Sequence, residues 1–347
     1  MRINQRNIAF LTATVTIAVA GQALALDKIP EKDGLSGYVT LGVSSTSFSS
    51  NMISGSDFGD IGDETIDSLE KSPGSEDLTS GFFTGEVNYT FVDTRTQLFL
   101  GNSLEDMVRY DFGFQAGIRQ EVSNNGVVSG AILFSGMPAN VWADPYVVNQ
   151  ERKETERDSS GGRIAWSGAM GTGLEVRVSR RTIDIDDEFS GLTPTTLGGL
   201  GLTQAQTESL SREGDQTSLD ASYTFDFGQG HSLIPKITFT QMDLDGDAMS
   251  RDQLGFQLAY AYQTRRFSLV TTGIVSSSDY DEENPLYGKK QEVDTLGVTF
   301  LGAYHQPFGL KGWSAIASVA VLDADSNIDF YDTEVTMVSL GMLYRFN

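Results

Sequence analysis

Met107-Val108-Arg109-Tyr110-Asp111-Phe112-Gly113-Phe114-Gln115-Ala116-Gly117-Ile118-Arg119-Gln120-Glu121-Val122 alternates almost without interruption. Val108, Tyr110, Phe112, Phe114, Ala116 and Ile118 fall on one face, and Arg109, Asp111, Gly113, Gln115, Gly117 and Arg119 on the other. A period of two separates these sets, whereas a helix would mix them. The length of the run says more. Strands in soluble sheets run about 5–6 residues, while a tilted membrane strand needs about 9–11.

Outward from this stretch, the alternation recurs in fourteen segments between residues 35 and 346. Phe83, Val87, Tyr89 and Phe91 oppose Thr84, Glu86, Asn88 and Thr90; Leu254, Phe256, Leu258, Tyr260 and Tyr262 oppose Gln253, Gly255, Gln257 and Ala259. Two segments, 267–276 and 313–322, are small or apolar on both faces, and their orientation is not assigned. The connections alternate in length. Short Gly/Asn-type turns fall at 92–95, 123–126, 171–173, 228–230, 264–266 and 306–312. Mostly long, polar, acidic connections fall at 50–79, 102–106, 136–160, 182–216, 243–252, 276–291 and 323–332. In an antiparallel chain this sorts the short turns to one end and the long loops to the other. The expected fold is all-β: a closed antiparallel up-and-down transmembrane β-barrel of about 14 strands.

Composition narrows the function classes. The 347 residues carry 24 Lys plus Arg against 47 Asp plus Glu, a formal charge of −23, which excludes a general nucleic-acid binder. With no Cys, disulfides, thiol catalysis and thiolate metal sites are excluded; two His leave little for imidazole sites. Arg2 and Arg6 precede an apolar run, Ile8 to Ala20, followed by Ala23-Leu24-Ala25. That order reads as a secretory signal peptide over 1–25, leaving 26–347 as one barrel domain. The apolar run is shorter than the ~20 residues a spanning helix needs.

The chain closes on Leu340-Gly341-Met342-Leu343-Tyr344-Arg345-Phe346-Asn347. With the signal peptide and the strand pattern, this ending resembles Gram-negative outer-membrane β-barrels. Their terminal strand carries an aromatic signal read by the barrel assembly machinery; Tyr344 and Phe346 stand in that place here, with Asn347 after them. The acidic loops also resemble those of uncharacterised outer-membrane proteins of marine bacteria. The resemblance implies a cell outer-membrane location, short turns in the periplasm and long acidic loops outside. It implies lipid and lipopolysaccharide as surroundings, with small solutes or ions as cargo.

Few residues suggest chemistry. His231 and His305 fall at short turns, far from the external loops where barrel enzymes of the phospholipase and omptin kinds carry their sites, so no enzymatic activity and no cofactor are expected. Asp243-Leu244-Asp245-Gly246-Asp247 begins like a calcium loop, but its Gly stands at position four and no Glu follows at twelve. It reads as a solvated acidic turn. The acidic loops together could hold divalent cations weakly and bridge to lipopolysaccharide phosphates.

The lumen-facing charges are the candidate functional residues: Arg109, Asp111, Arg119, Arg163, Glu175, Arg177 and Arg181. Two readings stand side by side. The arginines form a basic wall opposite an infolded loop, 136–160 or 186–214, in a constriction with a transverse field. Alternatively they pair with Glu175 and Asp111 and fill the lumen. Gly191 to Gly201, short on charge and with Leu192, Leu197, Leu200 and Leu202, is expected to pack inside the mouth, and Glu151 to Asp158 to be a solvated loop. Small inward residues (Gly113, Gly117, Ser218, Ser222, Gly255, Ala259, Gly297) suggest an open lumen. The expected function is a porin-like channel for passive diffusion of small hydrophilic solutes or ions. The alternatives are a structural or adhesive barrel closed by its loops, and a substrate-specific transporter; only Leu26 to Asp33 precedes the first strand, which leaves no room for a plug.

Overall fold

The computed structural model describes residues 29–56, 59–102 and 112–347. Fourteen long strands form one sheet: β1 (Gly34–Ser49), β2 (Glu76–Phe91), β3 (Thr96–Asn102), β4 (Phe112–Glu121), β5 (Val127–Met137), β6 (Glu154–Ser167) and β7 (Leu174–Ile185). They continue as β8 (Gly214–Tyr223, extended by Phe225–Gly228), β9 (His231–Leu244), β10 (Arg251–Gln263), β11 (Phe267–Asn284), β12 (Lys289–His305), β13 (Trp313–Ser326) and β14 (Thr333–Phe346). Each pairs antiparallel with the next, and β14 returns to β1 with Phe346 opposite Gly37 and Glu334 opposite Ser49. The ladder is therefore closed.

Its burial is inverted relative to a soluble sandwich. On β1, inward Thr40 is 0% exposed while outward Leu41 is 62% exposed. Ile132, Ile164, Leu254 and Leu296 are likewise exposed, and Thr84, Ser218, Thr272 and Ser339 buried. An apolar exterior around a polar interior suits lipid outside and water within, so the chain is a transmembrane barrel of the outer-membrane type. Aromatic residues crowd the short-turn end, with ring centroids 4.9 Å apart for Tyr89 and Phe91, 4.6 Å for Tyr223 and Phe225, and 5.0 Å for Trp313 and Tyr344. This is the interfacial girdle. Tyr344 and Phe346 lie on the closing strand within it.

The two unassigned strands take their faces from their neighbours' register. On β11, Ser268, Val270 and Thr272 are buried in the lumen and Phe267, Leu269 and Val275 face out. On β13, Ser314, Ile316, Ser318 and Ala320 turn inward and Trp313 and Val319 outward.

Several strands run further than the alternation suggests. The segment 276–291 is almost all strand, because β11 and β12 pair as far as Asn284 with Lys289 around a short turn. β6 already begins at Glu154, so Glu151 to Asp158 is not a solvated loop; Arg152 and Thr155 are buried. Above the apolar belt the outward positions become acidic, and hydrophobic alternation disappears although the ladder continues. There Asp279 stands opposite Glu292, Asp294 opposite Asp325, and Asp323 opposite Glu334. Like charges placed this way repel, which suits a segment outside the hydrocarbon but not inside it.

The signal-peptide expectation, like Arg109 and Asp111, lies outside the described residues. With the long-loop end outward, Cys introduced at Glu283 or Asp329, both exposed, should label in intact cells with an impermeant maleimide. Cys at the exposed Gln229 should label only after permeabilisation. The opposite pattern would invert the barrel.

Candidate functional site

The register sets the inward side chains in rows around the lumen. One row runs Arg181, Gln216, Met242, Arg251, Tyr280 on β7 to β11. The next, one pleat nearer the short turns, runs Arg163, Ser179, Ser218, Thr240, Gln253, Ser278, Val293 from β6 to β12. Below it come Arg177, Asp220, Thr238, Gly255, Ser276, Thr295 and then Glu175, Ser222, Lys236, Gln257, Ile274. Apart from Arg177 and Arg181, which are buried in the wall, the residues of these rows line a cavity of about 520 Å³.

The cavity is not the whole bore. Inward Ser218, Ser222, Gly255 and Ala259 border it, as an open lumen requires. Gly117 does not: the Phe99 ring covers it, only 2.8 Å from where a Cβ would stand. Toward the short turns, Ala261, Val270, Leu301, Ile316 and Leu343 pack into one buried apolar cluster with Phe82. The Phe82 ring lies across Gly42, where an added Cβ would fall 2.4 Å from it. The small residues thus divide into those that open space and those that accept a ring.

The candidate charges divide too. Arg163 faces Ser179, with Arg177 and Arg181 diagonally on either side, so these three form the expected basic strip on β6 and β7. Glu175 lies within it, 2.6 Å from Arg177, and accepts from Ser167. Lys236 meets Asp220 at 3.2 Å. Further round the wall, β10 to β12 present Gln, Ser, Thr and small apolar groups with Arg251 and Tyr280, not an acidic loop. Arg119 belongs elsewhere. Near the short-turn end it grips Glu86 through two hydrogen bonds of 2.9 and 2.8 Å, bonds Asn88 and Gln97, and stacks 3.9 Å above Phe99. It fills the lumen there.

The long loops close over the mouth as a cap with its own core. Ile66, Tyr146, Leu210, Met249, Phe330 and Tyr331, from five different loops, are buried together. Tyr331 is hydrogen-bonded to Tyr146 at 2.8 Å and accepts from Asn284 Nδ2 at 2.7 Å; Asn51 donates to Phe330 O at 3.1 Å. Burial pushes the Tyr146 and Tyr331 hydroxyls well above the ordinary phenol range, so both stay protonated. Both infolded-loop candidates contribute. In one, Asp144 accepts the backbone N–H groups of Tyr146, Gly191 and Thr193 at 3.1, 3.0 and 3.1 Å. From the other, Arg212 donates to Trp142 O and Ala143 O and pairs with Glu188. Arg152 lies over the Trp142 ring at 4.3 Å and donates to Asn51 O, Pro145 O and Asp63 O. Burial lowers its pKa to about 10, opposed by Asp63 and Asp144.

Other expectations need correction. In 191–201, Leu192 and Leu197 are exposed, and only Leu200 with neighbouring Leu202 packs on the cap core. In Asp243 to Asp247 the three carboxylates are exposed, as a solvated acidic turn requires, while Gly246 docks against Ser209 and Ser211 so closely that a Cβ would stand 2.5 Å from backbone. His305 is not merely an exposed turn residue; its ring nitrogens meet Ser268 Oγ at 2.7 Å and Ser314 Oγ at 2.9 Å, tying β11, β12 and β13 together. Arg157 and Arg251 also line the cavity and were hidden inside segments read as loops. Continuing the period of two back from Arg163 and Gln253 would have reached both.

Residues 34–345 match the family described as a protein of unknown function, DUF2860. No curated protein matches the chain. Among solved structures it is similar to the COG4313 outer membrane channel from Pseudomonas putida F1, at 7% identity and TM-score 0.44 over 92% of this chain and 98% of that one. It is also similar to a Pseudomonas aeruginosa FadL homologue (10%, TM-score 0.43, 93% and 92%) and to the outer membrane channel DcaP of Acinetobacter baumannii (12%, TM-score 0.41, 90% and 96%).

Replacing Asp144 by Asn turns one of its two acceptor oxygens into an NH2 donor, which then faces at least one of the three N–H groups, and should weaken cap docking by about 1–3 kcal/mol. Hydrogen exchange at Gly191 and Thr193 should accelerate while the β10 to β14 amides keep their protection. Unchanged exchange at both positions would mean that Asp144 does not hold the cap.

Proposed function

The chain belongs to the DUF2860 family, and we propose that it is an outer-membrane channel for passive diffusion of small hydrophilic solutes or ions, gated by its cap. The observation that carries this reading is the rows of mostly polar inward side chains around a cavity of about 520 Å³ inside a closed barrel. A barrel with a purely structural role has no need of an inward strip of Arg163, Arg177 and Arg181. Low-dielectric walls strengthen charge at a narrow section, so this strip should attract anions there, whereas the acidic outer loops attract cations at the mouth over about a Debye length, ~10 Å at 0.1 M salt. The same acidic exterior suits divalent bridges to lipopolysaccharide phosphates, and the terminal Tyr344 and Phe346 suit recognition by the assembly machinery.

The buried cap core favours a second reading, a structural barrel closed by its loops. Planar bilayers separate the two. The wild type should give discrete conductance steps, with modest cation preference in dilute salt that weakens or reverses in concentrated salt. Tyr331→Ala, which removes a cap anchor, should raise the open time. Arg163→Ala with Arg177→Ala should move reversal potentials toward cations. A folded, heat-modifiable sample that stays silent as wild type and as Tyr331→Ala would leave the structural barrel standing.

A further inference from the structure

Directly below the cap the cavity changes character. Arg251, on β10, reaches inward beside Tyr280 of β11, donates to the Tyr280 hydroxyl at 3.0 Å and lies 5.1 Å from its ring centroid. Among the described residues no carboxylate pairs with this guanidinium; its partner is neutral and aromatic. Met242 stands beside it in the same row, Leu244 and Met249 border the cavity above, and Gln253 and Ser278 form the row beneath. A cation held on an aromatic face retains its capacity for an anion. Methionine side chains adapt their shape and pack well on rings.

These two features point to different halves of one ligand. A small inorganic anion would use the guanidinium and leave the apolar roof bare. A neutral hydrocarbon would use the roof and leave the cation without exchange of partners. A long acyl chain would run down onto Gln253, Ser276 and Thr295, where it gains nothing. The cavity volume, about 520 Å³, is that of a small-molecule site. We propose that Arg251, Tyr280 and the apolar side chains of Met242, Leu244 and Met249 bind an organic carboxylate bearing one compact apolar group, with an aromatic ring the best fit. The carboxylate takes the guanidinium and the ring lies against Met242 and under Leu244 and Met249. Delivery of such a solute across the membrane rests on the channel reading; its binding does not.

The test is titration calorimetry on the folded, detergent-solubilised chain, with sodium benzoate, sodium acetate and benzyl alcohol as probes. Benzoate should bind, and acetate and benzyl alcohol, each lacking one half, should bind at least about tenfold more weakly. Arg251→Gln should weaken benzoate about tenfold or more. Met249→Ser should weaken benzoate and leave acetate unchanged. Heat-modifiable gel migration checks that each variant is folded, and if Arg251→Gln does not fold, Met249→Ser and the three wild-type probes decide. Benzoate binding no more tightly than acetate or benzyl alcohol, or as tightly to Arg251→Gln as to wild type, would overturn the site. The same probes in planar bilayers keep the two readings apart. Benzoate binding without conductance would sink the channel and leave the site; conductance without benzoate binding would sink the site and leave the channel.

Discussion

A peptide group in hydrocarbon has no water to bond, and each one left unpaired costs several kcal/mol. Everything in this chain follows from meeting that demand with strands. The decisive contact is the seam between β1 and β14, where the register runs from Gly37 opposite Phe346 to Ser49 opposite Glu334. Without it, two edges would face lipid. With it, the exterior must be apolar and the polar side chains have only the lumen to occupy. The buried Thr40, Thr84, Thr272 and Ser339 are therefore a consequence of closure, not an exception to ordinary burial.

Closure also decides how the interior is shared. A lumen this wide cannot be packed from one wall. Near the short turns, rings lie over glycines of the neighbouring strand, Phe82 over Gly42 and Phe99 over Gly117 beneath Arg119, and Phe82 joins an apolar cluster with Ala261, Val270, Leu301 and Ile316. Nearer the mouth the walls stay apart and carry charge and amide groups. The cap then closes the mouth with a core of its own, and its strongest ties are buried side chains bonded to backbone. Asp144, Arg152 and Arg212 each bind main-chain groups of segments distant in sequence. Such bonds hold loops that have no regular ladder to satisfy their peptide groups.

The fold was legible because lipid imposes a pattern on every strand. Period two, the long runs in 107–122 and 254–262, and the alternation of short and long connections were enough to reach fourteen strands. The strip of Arg163, Arg177 and Arg181 was legible for the same reason, since inward residues of neighbouring strands share a parity. What escaped lies outside the hydrocarbon. Beyond the belt both faces turn polar, so the upper parts of β6, β10 and β11 looked like loop, and Arg157 and Arg251 went with them. The cap was beyond reach because its partners share no period. Nothing local in Asn51, Tyr146, Asn284 or Tyr331 says that they meet. Arg119 misled by parity alone: it faces inward, but Glu86 beside it settles its role.

The cap also has a consequence for the order in which the molecule is made. Tyr146 meets Tyr331 across 185 residues of sequence, and Asn51 meets Phe330 across 279. Contacts of such separation are costly in loop-closure entropy until the intervening chain is already arranged. The seam between β1 and β14 spans still more of the sequence, and once it has formed Phe330 and Tyr331 stand beside Asn51 and Tyr146 with no further long loop to close. The final tightening of the aromatic knot therefore marks completion of the whole circuit, from the first strand to the last.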